Sequence, residues 1–161
     1  RWRSSRYVSL TCFPSKSQPT LIKPFQIKEI APFRQTDLSQ ENIYVLDAFF
    51  ELYIIVGARS QHQYVAFRNA LDFAQEYAIL AAGMEDRPFV PVSTVVLEGI
   101  PRDCKSVFRK WEDKYCPTIL NAPTSQPGAL QPKKTGGNGG LKRARSLRTV
   151  PLTQALQALA E

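Results

Sequence analysis

Two apolar runs stand close together in NIYVLDAFFELYIIVG, residues 42–57: one at 43–46, the other at 52–56, with a short break around Asp47–Glu51. Both are too short for helices and rich in β-branched and aromatic residues, so they read as strands buried on both faces and joined as a hairpin. Beyond Gly57 the period changes. Tyr64, Phe67, Ala70, Leu71, Ala74, Ala78 and Ala81 recur at three- and four-residue steps, which predicts a helix over 61–82 with one apolar stripe. Ser60 stands where a cap is expected and Gly83 where a C-terminal glycine belongs. Before the hairpin, residues 7–13 alternate with Val8, Leu10 and Cys12 on one face, and 21–30 carry Ile22, Phe25, Ile27 and Ile30 near the strand-breaking Pro24. After the helix, 89–98 reads as a further strand. Residues 106–115 place Val107, Phe108 and Trp111 at the spacing of a short helix, capped by Asp103 or Ser106.

These elements predict an α/β (α+β) fold: a central five-stranded mixed sheet between one long and one short helix, with a flexible basic C-terminal tail. The domain is expected over 7–121. Pro, Gly, Ser, Thr and Lys dominate 122–148, with GGNGG inside, a composition that cannot bury a core and reads as a flexible basic linker. In 149–161, Leu152, Ala155, Leu156 and Leu159 share a helical face, with Pro151 in the first turn. So short a helix does not hold alone in water and is conditional on docking, either onto the domain or into a partner's groove.

The net charge of +7 is a property of the ends. Arg1, Arg3 and Arg6 open the chain. Lys133, Lys134, Lys142, Arg143, Arg145 and Arg148 face only Glu161 near its close, and the stretch between is close to neutral. Such a tail can contact polyanions or anionic lipid without a sequence-reading fold, so no specific nucleic-acid partner is implied. Lys133–Lys134 and Lys142–Arg145 resemble a two-part nuclear-import pattern, and Arg143, Arg145 and Ser146 fit a site for basophilic kinases; both patterns also arise in an ordinary solvated tail. No run reaches membrane-span length, so no transmembrane segment is expected, and the basic start lacks a signal peptide's apolar stretch. Arg1 opens the chain and Met84 is its single methionine, as expected of a piece cut from a longer protein. Three widely spaced cysteines, Cys12, Cys104 and Cys116, suit a reducing, cytoplasmic setting and form no zinc pattern. With one histidine, no phosphate loop and no nucleophile motif, the chain reads as a non-enzyme with no catalytic residues, no cofactor and no metal.

The order of elements resembles the gelsolin homology domain, the repeat of gelsolin, villin and severin. TDLSQENIYVLD from Thr36 is similar to the family's Asp-Leu loop and the strand ending Leu-Leu-Asp, and AFFELYIIVG to its turn and Val-Trp-Val-Gly strand. The likeness runs from Tyr7 to Trp111. DAFFELYIIVG is also similar to the gelsolin-like domain of vesicle-coat subunits, and a single such domain with a basic tail resembles the C-terminal end of large fungal proteins.

What the resemblance implies divides in two. In the family, calcium is held by an Asp opening the hairpin strand and a Glu in the helix's first turn. Those positions fall here on Asn42, preceded by Glu41, and near His62 or Gln63. Calcium needs several anionic oxygens, so Glu41 and Asn42 mark a degenerate position and no metal is expected. Actin is the second implication. The family's actin-binding repeats dock the outer face of the long helix, and the matching positions are Val65, Asn69, Asp72, Phe73 and Glu76. Val65 and Phe73 are apolar on a face otherwise expected to be solvated, which suits either a docking surface or contact with the linker or a neighbouring domain. The reading is a non-enzymatic protein-interaction module binding actin or another cytoskeletal partner. Its rival is a structural domain packed inside a larger assembly such as a vesicle coat. A third option makes the tail a binder of anionic lipid or nucleic acid, with the fold as scaffold.

Overall fold

The hairpin predicted from the paired apolar runs is the centre of the molecule. In the computed structural model, which describes residues 8–14, 27–83, 87–120 and 147–160, β3 (Ile43–Asp47) and β4 (Glu51–Val56) pair antiparallel. Both are buried on both sides, which is why their sequence shows a continuous apolar run rather than alternation. β1 (Ser9–Phe13) pairs antiparallel with β3, and β2 (Lys28–Ile30) with β1. A long helix α1 (Tyr64–Ala81) leads from β4 to β5 (Val92–Glu98), which lies parallel to β4, as such a crossover requires.

Among the described residues the sheet has six strands, in the order β2-β1-β3-β4-β5-β6, where the sequence pattern predicts five. The additional strand is β6 (Arg148–Pro151), which pairs antiparallel with β5 at the edge. It spans four residues that are mostly exposed, so no alternation marks it. The helix expected from Thr149 starts instead at Leu152: Pro151 closes the strand, and α3 runs Leu152–Ala160. Leu152 is buried, and Leu156 and Leu159 lean on the core.

Side chains alternate across the sheet into two interiors. Phe13, Ile43, Val45, Leu52, Ile54, Val56 and Val95 face α1 and α3, joined by Ala66, Ala70, Leu71, Ala74 and Ala78 from the helix. Leu10, Cys12, Tyr44, Leu46, Tyr53, Ile55 and Val96 face the other way, where Ile100, Cys104, Phe108 and Cys116 cover them. That covering segment differs from the expected helix over 106–115. Its helix α2 is one turn, Arg102–Lys105, with Pro101 as N-cap, Asp103 inside and Ser106 as C-cap; a 3-10 turn follows at Asp113–Tyr115. Val107, Phe108 and Trp111 still pack inward.

Other boundaries move. β5 starts at Val92, not 89, and only Lys28–Ile30 of the expected second strand is extended among described residues. The N-cap of α1 is Gln63, because Ser60 is buried and donates its hydroxyl to the Gly57 carbonyl at 3.0 Å. Tyr64, assigned to the buried stripe, is exposed at the first residue of the helix, and Ala66 is buried. The rest of the second strand (21–26), most of the linker, and the motifs at Lys133–Lys134 and Lys142–Ser146 lie outside the described residues. Among the described residues no helix is long and apolar enough to cross a membrane.

Candidate functional site

The fully buried stripe of α1 is made of alanines and one leucine, flanked by the half-buried rings of Phe67, Phe73 and Tyr77, so the helix lies close on the sheet while further large side chains remain on the outer face. Tyr64, Val65, Ile79 and Leu80 are each about two-thirds exposed, at 64%, 66%, 65% and 72%. At 100° per residue, Ile79 and Leu80 flank Val65 within about 60° and lie ~22 Å further along the axis. The face is therefore apolar at both ends and polar in its middle. Arg68 and Asp72 pair there at 3.6 Å, one turn apart, and Glu76 is exposed beyond them. The first end is a shallow depression lined by Tyr64, Val65, Arg68, Asn69 and, from α3, Leu159.

Of the positions implied by the resemblance, Val65, Asp72 and Glu76 are exposed on this face and Asn69 is half-buried. Phe73 is half-buried at its border. Its ring meets Phe13 edge-on at 5.3 Å and stacks on Tyr77 at 5.5 Å, so it belongs to the packing of the helix on β1. Ile79 and Leu80, which the sequence reading passes over, complete the face. Counting from Val65 in helical steps would have placed them there.

Around the degenerate calcium position, the groups are engaged in holding the strand-to-helix loop. Glu41 meets the Arg59 guanidinium at 3.0 Å. The Asn42 carbonyl accepts from the Gly57 N–H at 3.1 Å and from the Ser60 hydroxyl at 3.3 Å, and the Gln40 carbonyl accepts from the Arg59 N–H at 2.8 Å. This close passage demands glycine: a Cβ at residue 57 would lie 2.4 Å from the Gln40 carbonyl oxygen. His62 is exposed beside Gln63, whose amide lies 3.1 Å from its ring.

The end of the hairpin holds a buried ion pair. The Arg87 guanidinium donates to both oxygens of Asp47 at 2.8 Å, and Asp47 also accepts from the Tyr77 hydroxyl at 2.5 Å and the Phe49 N–H at 2.8 Å. Burial pushes the Asp47 carboxyl above its ordinary range, against the pull of these donors. The Tyr77 hydroxyl is pushed up to about 12, chiefly by burial and then by its bond to Asp47. Nη1 of Arg87 has no hydrogen-bond partner, and the guanidinium lies 4.9 Å over the Phe49 ring, whose π face supplies part of the missing contact. Phe49 itself has φ of 79°, closing a γ-turn in which the Phe50 N–H donates to Ala48. The turn presents Phe50, which stacks on Phe89 at 5.6 Å, beside exposed Val90 and Val92.

The buried thiols carry no such arrangement. Cys12 and Cys104 are both pushed up by burial, which holds them as neutral, unreactive groups.

Comparison with known proteins finds similarity to a plant villin. Villin-2 of Arabidopsis thaliana is 29% identical over 132 residues, which is 76% of this chain. The match takes in 13% of that protein's length. No protein-family model matches the chain. The six-stranded mixed sheet, with α1 and α3 on one face and α2 on the other, is consistent with a gelsolin-like α+β fold.

Proposed function

We propose that this chain is a gelsolin-like interaction module, without enzymatic activity, that docks on actin or another cytoskeletal protein through the outer face of α1. The observation that carries the reading is the set of three large apolar side chains, Val65, Ile79 and Leu80, left exposed on one helix face, with Tyr64 exposed beside them at the first residue of the helix. Burying such a face against a partner is worth about 25 cal/mol per Å² of apolar surface before association costs. The Arg68–Asp72 pair and Glu76 between the two ends supply polar groups that fix register. The resemblance of the Thr36–Gly57 stretch to gelsolin repeats supports actin as the partner, and the similarity to a villin supports the same class.

Co-sedimentation of the chain with filamentous actin tests this. Val65→Ser with Leu80→Ser should abolish pelleting while the melting temperature stays put. Phe73 is left intact because its ring packs on Phe13. Pelleting that survives the double change and disappears when salt is raised would assign the binding to the basic residues instead.

A second reading rests on a different observation. The hairpin tip, with Phe50 59% exposed beside Val90 and Val92, is another apolar surface and would suit packing inside a larger assembly such as a vesicle coat. A chain carrying Phe50→Ser that fails to enter such an assembly, where the α1 double variant still enters, would favour it.

A further inference from the structure

β6 and α3 are attached to the fold in a way that the other elements are not. They follow Leu120 only after residues 121–146, whereas β3 and β4 are joined by a tight turn. Among the described residues, the interior opposite α1 takes none beyond Leu120, and the α1-side interior draws its buried side chains from β1, β3, β4, β5 and α1, with Leu152 and Ala155 buried at its margin and Val150, Leu156 and Leu159 leaning on it. What β6–α3 occupies is a composite seat. The β5 edge pairs Thr94 with Pro151, Val95 with Val150 and Val96 with Thr149, then slips past a bulge to pair Glu98 with Arg148. At that bulge the Leu97 carbonyl is taken by the Gln61 amide at 3.0 Å. Directly beyond the strand, Leu152, Ala155, Leu156 and Leu159 lay an apolar stripe beside α1.

We propose that the β5 edge and the adjoining flank of α1 form a peptide-docking groove for a strand-then-helix segment, filled within one chain by its own residues 147–160 and open to the same segment of a second copy. The seat combines two recognition modes: a backbone ladder along the β5 edge and an amphipathic helix on an apolar flank. The segment's own sequence states the chemistry of the occupant. It is four extended residues followed at once by Leu at the first, fifth and eighth helical positions, with no charge on the helix. A second copy supplies that segment with matching register and packing. In one chain the tether raises the local concentration of its own segment, so binding in trans is masked until the internal copy is disabled or the chains are crowded together.

The test uses the full chain carrying Leu156→Asp and Leu159→Asp, titrated with a fluorescent peptide of residues 147–160. The variant should bind the peptide saturably, and the wild-type chain about tenfold more weakly or less. A peptide carrying Leu152→Asp should not bind. A variant that keeps the wild-type circular dichroism and melting temperature yet ignores the peptide overturns the proposal. Should the variant fail to fold, a protease site placed within 121–146 of the wild-type chain replaces it. After cleavage, excess labelled peptide should displace the native segment without unfolding the remainder; unfolding on displacement, or no exchange, counts against the groove. Two differently labelled full chains should then show energy transfer that rises with concentration and vanishes with both Leu changes. Its absence across the range overturns the second copy as occupant.

Discussion

The two faces of α1 invert the usual arrangement of a surface helix. Its buried stripe is built from Ala66, Ala70, Ala74, Ala78 and Ala81 around a single Leu71, and its outer face holds Val65, Ile79 and Leu80. Small inner residues let the helix backbone approach the sheet, where the volume is filled from below by Ile43, Val45, Leu52 and Ile54. Large outer residues then have nothing in the described fold to bury them. The contrast teaches that the apolar content of a helix need not be spent on the fold: the inner face sets stability, and the outer face is left for recognition.

That division is open to attack at each point. Leu71→Asp on the inner face should be the most damaging change, because an unpaired carboxylate would enter a fully buried site. A loss of several kcal/mol, enough to unfold the chain, should appear in thermal denaturation. Next is Asp47→Ala, which removes the partner of buried Arg87 near the inner end of the helix and should cost about 3–5 kcal/mol in urea titration. A loss under about 1 kcal/mol would mean that the Phe49 ring alone sustains the cation. Ala74→Leu should cost about 1–3 kcal/mol by overfilling a site packed to completion; an unchanged melting point would show slack between helix and sheet.

Alkaline titration probes the same end more gently. Tyr77 is held neutral in the fold up to about 12, against an ordinary value of 10.0, so the native state retains the proton longer than the unfolded chain. Its contribution is complete below the unfolded value and declines as pH rises from there through the folded value. Tyr77→Phe should flatten that part of the stability–pH curve, and a curve unchanged by it would remove the tyrosine from the account. The smallest stability effect belongs to the outer face. Val65→Ser with Leu80→Ser should move stability by no more than about 0.5 kcal/mol per site while eliminating actin co-sedimentation.

Legibility in the sequence followed how local each interaction is. The β3–β4 hairpin was readable because both strands are covered on both faces, which leaves a continuous apolar signature. The alanine stripe is readable from its period, which also counts Tyr64 into it. Angular position puts Tyr64 in line with Leu71, but it stands at the first residue of the helix and remains exposed. Ile79 and Leu80 share the face of Val65 by the same arithmetic, and about four turns separate them from it, beyond the reach of a local pattern. β6 left no signature, since three of its four residues are exposed and its partner β5 lies far back in the chain.

Sequence alone therefore determined the elements whose side-chain pattern is dictated by their own burial: the hairpin, the crossover helix, the strand after it, and the amphipathic face of the last helix. Tertiary structure decided what depends on residues distant in the chain. It pairs Asp47 with Arg87 across the α1 crossover, turns 102–116 into one helical turn and a 3-10 turn instead of a longer helix, and adds β6 to the edge of β5. The reason is physical. Periodicity records which side of an element is buried, but a sheet edge or a buried charge is satisfied by whichever group the fold brings to it, and that identity is not written next to it in the chain.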